Sequence, residues 1–218
     1  MATDLSFSGN SVMQGLTRER GRDVHLSKTL SWLLRHGAVK EGVPITKDGF
    51  ISVSEILKHS SLKHKYTLQD IERVVEENNK KRFTLTVHPQ TGDLLIKDNQ
   101  GHSMKIVNDT SLQPILDASE APVVVHGTYS RNWDSIKRNG LSCMNRLHIH
   151  FAPGEPGEPQ VISGIRGDCD TYIYIKVADA LKDGIKFYRS ANNVILSPGN
   201  NTGILEPKYF DRVVHHQK

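Results

Sequence analysis

Phe83-Thr84-Leu85-Thr86-Val87-His88-Pro89-Gln90-Thr91-Gly92-Asp93-Leu94-Leu95-Ile96 is a hairpin in outline. Phe83, Leu85 and Val87 alternate with polar residues, Thr91-Gly92 supplies turn residues, and Leu94-Leu95-Ile96 returns as a second strand. Upstream the periodicity changes from two to that of a helix. Leu26, Leu30, Leu33 and Leu34 make one apolar face, for which Asp23 is a plausible N-cap and Gly37 a plausible stop. Asp48-Gly49 turns the chain into the short run Phe50-Ile51-Ser52-Val53, and Ser54 is placed to cap a brief helix with Ile56 and Leu57. Thr67 and Asp70 have capping-box spacing for a further helix, with Leu68, Ile71, Val74 and Val75 as its buried stripe. Three helices followed by a hairpin is the pattern of a winged helix.

The chain has 218 residues, 37% of them hydrophobic, enough for two modest cores. Its net charge of +4 mildly favours an anionic partner. Both halves are basic, whereas 108–121 carries acids and no base, with Pro and small polar residues. The expected organisation is therefore a flexible tail over 1–22, a first lobe over 23–107, a linker over 108–121, a second lobe over 122–214 and a short tail over 215–218. No signal peptide or apolar run of membrane-spanning length is apparent, so an intracellular protein, cytoplasmic or nuclear, is expected. Cys143 and Cys169 are the sole cysteines, both expected to be reduced.

The second lobe is rich in strands, which makes the fold class α+β. Val123-Val124-Val125 runs into His126-Gly127-Thr128, and Trp133, Ile136 and Gly140 mark a short helix and its stop. Arg146-Leu147-His148-Ile149-His150-Phe151 alternates, so a strand there carries Arg146, His148 and His150 on one face. That face is either solvated or a floor of donors for a polyanion such as a pyrophosphate. The histidines lack the ligand quartet of a zinc site, so no metal is expected. Pro153 to Pro159 is a loop, and 171–177, 185–188 and 194–196 supply further strands. Neither a GxGxxG nor a P-loop is present, so a nucleotide would need another kind of site.

Two basic groups have ordinary explanations. Leu34-Arg35-His36-Gly37 suits the last turn of a helix, and Lys80-Lys81-Arg82-Phe83 suits a solvated charge run. In order along the chain, however, they join Leu26-Ser27-Lys28, Asn99-Gln100-Gly101-His102-Ser103, His126-Gly127-Thr128, Gly140-Leu141 with Arg146 to His150, and Arg189-Ser190-Ala191-Asn192-Asn193-Val194. From Val24 to about Val214 this series resembles the RNA 2′-phosphotransferase family, and the segments Ile162 to Arg166 and Pro207 to Phe210 look most like its animal members.

The resemblance implies an amino-terminal winged-helix RNA-binding lobe and a carboxy-terminal ADP-ribosyltransferase-like, NAD-binding lobe. It puts the family's functional Arg-His-Arg-Arg set on Arg35, His36, Arg82 and Arg146. The signature of its NAD cleft falls on His126, His150 and Val194, with Gly127, Thr128 and His148 beside them. A Ser common in bacterial members is Ala152 here, so a backbone group or water would have to replace its hydroxyl. The implied partners are NAD, consumed as co-substrate, and RNA or tRNA bearing an internal 2′-phosphate; a monomer is expected. In the implied reaction that phosphate attacks the nicotinamide ribose, and the ribose O2″ then attacks phosphorus to release 2′-OH RNA and ADP-ribose 1″,2″-cyclic phosphate. Fixed cations suit both steps. His36 either holds phosphate as a cation or handles a proton. Two other readings stay open: ADP-ribosylation of nucleic-acid phosphate ends, and a non-catalytic winged-helix nucleic-acid-binding protein.

Overall fold

The computed structural model describes residues 9–108 and 110–216. Of the tail expected over 1–22, residues 1–8 lie outside the described residues. From Gly9 to Trp32 the chain is one helix, α1. Asp23 therefore does not cap it. Its carboxylate instead accepts Arg73 Nε at 3.1 Å and Nη2 at 2.8 Å. Leu26, Leu30, Leu33 and Leu34 are fully buried.

The end of α1 also departs from expectation. A π-helical turn over Leu33–Gly37 continues it, closed by Ala38 N–H donating to Leu33 C=O at 2.9 Å. Gly37 does not adopt a left-handed stop. Its missing Cβ makes room for the Trp32 ring, whose nearest carbon is 2.7 Å from where a Cβ would stand. π turns widen the helix by one residue and recur at functional positions.

Gly49, at φ +81°, turns the chain into β1, Ile51–Ser52. α2 spans Val53–Lys58 with Ser52, rather than Ser54, at its N-cap position. The capping box at Thr67 and Asp70 forms and opens α3, Leu68–Glu76. Ile71 and Val74 are buried, but Leu68, in the first turn ahead of the packed face, is 40% exposed. β2, Phe83–Val87, pairs antiparallel with β3, Leu94–Asp98, in the expected hairpin, and β1 adds to the other side of β3. The leucines of α1 pack with Ile51, Ile56, Leu62, Ile71, Phe83 and Ile96 in one core.

Within 108–121 lies β4, Gln113–Ile115, itself a strand of the next sheet. Then come β5, Val125–Thr128; α4, Ser130–Asn139, which ends at Gly140 with φ +86°; β6, Leu141–Ser142; β7, Ile149–Phe151; and β8, Thr171–Ile175. α5, Val177–Lys182, precedes β9, Lys186–Arg189, β10, Ile195–Gly199, β11, Ile204–Leu205, and β12, Phe210–His215. Their sheets are ordered β4-β9-β10-β7, β12-β8-β5 and β11-β6. A bridge between Val125 and Ala152 ties the first two together, and Ile149, Phe151, Ile173, Phe187 and Ile195 share the second core. The whole is a mixed α+β structure.

One strand is shorter than its alternation suggests. Arg146, Leu147 and His148 form a bend ahead of β7. Their backbone is engaged elsewhere: Arg146 N–H donates to Cys143 C=O at 3.0 Å, and Leu147 N–H donates to His102 C=O at 2.9 Å. The ladder with β10 therefore stops at Ile149, and only His150 of the three cationic positions sits in a strand. Val177 likewise starts a helix instead of ending β8.

Candidate active site

Arg35 and His36 occupy the π turn that ends α1. The Arg35 guanidinium does not cap helix carbonyls. Its Nη2 donates to Asp98 Oδ1 at 2.9 Å, and its Nε stands 2.8 Å from Asp98 Oδ2, on a carboxylate with no solvent exposure. Burial pushes the Asp98 carboxyl up, and Arg35 opposes that shift. The strand β3 that delivers Asp98 continues into Asn99-Gln100-Gly101-His102-Ser103, which wraps the turn. Gly101, at φ +93°, lets the Arg35 side chain pass 3.2 Å from where a Cβ would be. Ser103 N–H donates to Arg35 C=O at 3.0 Å, and Ser103 Oγ lies 2.8 Å from His36 Nδ1.

Arg82 is no part of a solvated run. It is half-buried, and three asparagines hold its loop. Asn78 Oδ1 accepts Arg82 N–H at 3.2 Å. Asn99 donates its amide to Lys81 C=O at 2.8 Å, while Asn99 N–H donates to Arg82 C=O at 2.6 Å. Across from the second lobe, the buried Asn192 donates to Lys80 C=O at 3.0 Å. Lys81 itself takes φ +42°, a left-handed conformation that such bonds must stabilise. Sequence reasoning assigned no role to Asp98, Asn99, Ser103 or Asn192, although three of them stand in motifs it singled out.

Arg146 joins this cluster from the second lobe, on the bend before β7. A cleft of about 1040 Å³ has Arg146, His36, Ser103, His126, His148 and His150 in its walls, with Gly127 and Thr128 at one end. Arg35 and Arg82 instead line an adjoining groove. Mutual electrostatics shows how near these groups stand to one another. Burial, then Arg35 and Arg146, lower the His36 pKa. Burial, then Arg35, lower that of Arg82, and burial, then Arg35 and Arg166, lower that of Arg146. Since arginine stays charged regardless, three guanidiniums crowd around the single buried carboxylate of Asp98. Such an excess of positive charge suits an oxyanion such as a phosphate ester.

Burial favours the neutral form of His126 and of His150. His126 Nδ1 donates to His150 C=O at 2.8 Å, which leaves its other nitrogen as an acceptor. Burial lowers His126, and burial together with Arg146 and Arg35 lowers His150 well below the usual imidazole range. His150 Nε2 is buried with no partner. Thr128 is buried, its hydroxyl accepting from Asn132 at 3.4 Å. At Gly127 the space a Cβ would fill is taken by Ile165 and Cys169, so the close approach that glycine permits is made there by the chain itself. Val194 is fully buried behind the Ser190 turn and is not in the cleft wall. Ala152 is buried too, and both its backbone groups pair with Val125, so its peptide is not free to replace a serine hydroxyl. Among the described residues no three His, Cys, Asp or Glu gather as a metal site, and no helix is long and apolar enough to cross a membrane.

Residues 21–199 match the model of the RNA 2′-phosphotransferase, Tpt1 / KptA family. The chain is 50% identical over 201 residues to tRNA 2′-phosphotransferase 1 of Danio rerio, covering 91% of this chain and 88% of that one. It is 48% identical over 195 residues to tRNA 2′-phosphotransferase 1 of Homo sapiens, covering 88% and 76%. With tRNA 2′-phosphotransferase of Saccharomyces cerevisiae the identity is 40% over 191 residues, covering 85% and 83%. Matches of this length take in both walls of the cleft and the segments that carry Arg35, His36, Arg82 and Arg146: the chain belongs to the RNA 2′-phosphotransferase family.

Proposed function

We propose that this protein removes an internal 2′-phosphate from RNA, the splice-junction phosphate of tRNA above all, by transferring it to the ADP-ribose of NAD. The products are 2′-OH RNA, nicotinamide and ADP-ribose 1″,2″-cyclic phosphate. One observation carries this: in a member of this family, Arg35, His36, Arg82 and Arg146 converge from two lobes at the edge of a cleft large enough for a dinucleotide. Three helices leading into the β2–β3 hairpin support a winged-helix assignment for the first lobe. The paired antiparallel sheets and the histidine-lined cleft support an ADP-ribosyltransferase-like assignment for the second.

NAD supplies the ribosyl carbon that accepts the phosphate, with nicotinamide as leaving group. The cleft suits it: His150 Nε2 is buried and unpartnered, and His126 presents a free ring acceptor. His126 takes a ribose hydroxyl, and His148 and His150 line the rest of the dinucleotide site. Arg35 and Arg82 bind the non-bridging oxygens of the 2′-phosphate. Arg146 faces them and stabilises the anionic transition state at phosphorus. His36, neutral in the free protein, rises towards the cationic form once the phosphate's negative charge offsets its arginine neighbours, which fits it to deliver a proton to the departing RNA 2′-oxygen.

The test is to mix the protein, NAD and an oligonucleotide with one internal 2′-phosphate, and follow phosphate loss and nicotinamide release together. Both should occur. Nicotinamide release with the phosphate left on the RNA would favour end ADP-ribosylation, and neither event would favour a binding protein. Because phosphate cations dominate the site, an RNA with only a 3′-terminal phosphate should react far more slowly; equal rates would sink the assignment.

A further inference from the structure

An internal 2′-phosphate leaves RNA backbone on both sides of the reacting nucleotide, and that backbone needs a way out. Arg35 and Arg82 line a second groove, of about 770 Å³, distinct from the dinucleotide cleft. One wall is a single face of α1: Arg20, Val24, Ser27, Lys28 and Ser31 follow helical spacing and run into Arg35 at the π turn. At about 1.5 Å per residue that face is about 16 Å long. It is not the face on which Leu26, Leu30 and Leu33 enter the core. The opposite wall is the chain leaving α3, where Asn78, Asn79 and Lys80 lead to Arg82.

The chemistry of this groove is that of a single strand's backbone. Cations, amides and hydroxyls alternate along it, and Val24, 55% exposed, offers an apolar contact for a ribose or base. Of its two acids, Asp23 is already engaged by Arg73, and Glu77 stands exposed beside the excess of cations. We propose that the groove between α1 and the Asn78–Lys80 segment is the track for the single-stranded RNA flank on one side of the 2′-phosphorylated nucleotide, with Lys28 and Lys80 as its phosphate contacts. The assignment rests on the RNA-processing reading above, and it adds a binding site that the anion cluster alone does not require.

Three 2′-phosphorylated RNAs test it: a minimal dinucleotide, and the same dinucleotide extended by several nucleotides on its 5′ side or on its 3′ side. Fluorescence anisotropy measures their binding without turnover, and single-turnover assays at saturating NAD measure reaction. For the unaltered protein one extension should tighten binding and lower KM. In Lys28→Ala/Lys80→Ala that advantage should disappear, while the dinucleotide's kcat and the KM for NAD stay put; Lys28→Arg/Lys80→Arg should keep it. Losing two contacts should cut the salt slope by about 1.4, so from about 50 to about 200 mM salt the unaltered protein should lose roughly sevenfold more affinity than the alanine variant. An extension advantage that survives both alanines, or no advantage from either extension, overturns the proposal. If the unaltered protein binds in this Lys28- and Lys80-dependent way but never releases phosphate, the track stands and the enzymatic reading falls.

Discussion

The two lobes present their arginines in opposite ways. Arg35 is clamped at both ends of its guanidinium by a carboxylate with no solvent exposure, and Arg82 sits in a loop pinned by Asn78, Asn99 and Asn192. Arg146 projects from an exposed bend, and its guanidinium has no hydrogen-bond or ion-pair partner among the described residues. An arginine carries about 2 kcal/mol of rotamer entropy, so a free one gives up more on engaging a ligand than a braced one. The first lobe therefore offers a pre-formed anion seat. Under the proposed reaction, the second would supply a cation free to move with phosphorus as the bonding around it changes.

The largest effects should come from the braced pair. Arg35→Ala or Arg82→Ala should lower kcat by about 10²–10³ or more, the scale of removing one fixed transition-state donor. The two will differ in stability. Arg35→Ala strands Asp98 as a buried charge and should cost about 3–5 kcal/mol in denaturant unfolding. Adding Asp98→Asn to Arg35→Ala should restore much of that stability without restoring turnover. Near-normal turnover in either single variant would mean that its guanidinium braces the fold and not the reaction.

Arg146→Ala should behave differently in kind. An interaction made mainly in the second transition state slows that step more than substrate capture. The variant should accumulate 2′-phospho-ADP-ribosylated RNA, a slower-migrating species in a gel of labelled RNA, with nicotinamide released ahead of 2′-OH product. Stability should change by no more than about 0.5 kcal/mol, as for an exposed side chain without partners. If the reaction is slow yet that species never appears under single-turnover conditions with saturating NAD, Arg146 acts in binding or the first step, and the contrast between braced and mobile cations loses its mechanistic meaning.

The same contrast marks what the sequence discloses. Periodicity located the leucines of α1, the α3 capping box and the β2–β3 hairpin, because each depends on residues close together in the chain. It misplaced the start of α1 because Asp23 also has the composition of an N-cap, and only the long-range partner Arg73 decides its role. It drew the strand before Ile149 too long because Leu147 bonds to His102, 45 positions away in a different lobe. The anion site shows the same limit. Arg35, His36, Arg82 and Arg146 were nameable from ordered motifs, but the groups that brace them act across distance: Asp98 on Arg35, Asn192 on the Lys80 carbonyl. No local pattern encodes a carboxylate 63 residues from its guanidinium.

Asn192 offers a smaller and more selective probe. Its amide is the bond by which the second lobe holds the Arg82 loop. Asn192→Ala should leave Lys80 C=O unpaired and let that loop drift, which lowers kcat about tenfold, a loss of about 1.4 kcal/mol, within the range for a buried hydrogen bond. The KM for NAD should hold, since the cleft histidines are untouched, while the KM for RNA rises. Asn192→Asp keeps the volume but removes the donor and should match alanine. Equal losses in both KM values would mean that Asn192 supports the fold at large.

The smallest effect separates the lobes by pH. In the first, charge is buried as a pair, Asp98 with Arg35; in the second, His126 and His150 are half-buried, and burial lowers their pKa values, His150 the more strongly. A histidine lowered in the folded state takes up its proton later than the same residue in the unfolded chain, which protonates near 6.5. Below that pH the unfolded state binds more protons, so stability falls as pH drops from about 7 towards 5 and is fully present above it. One such proton contributes a slope of at most about 1.4 kcal/mol per pH unit. His150→Gln removes it, so the variant's unfolding midpoint should decline less between those pH values than that of the unaltered protein, whatever the substitution costs at neutral pH. Parallel pH profiles for the two proteins would mean that His150 stays accessible to protons when folded, and that burial does not favour its neutral form.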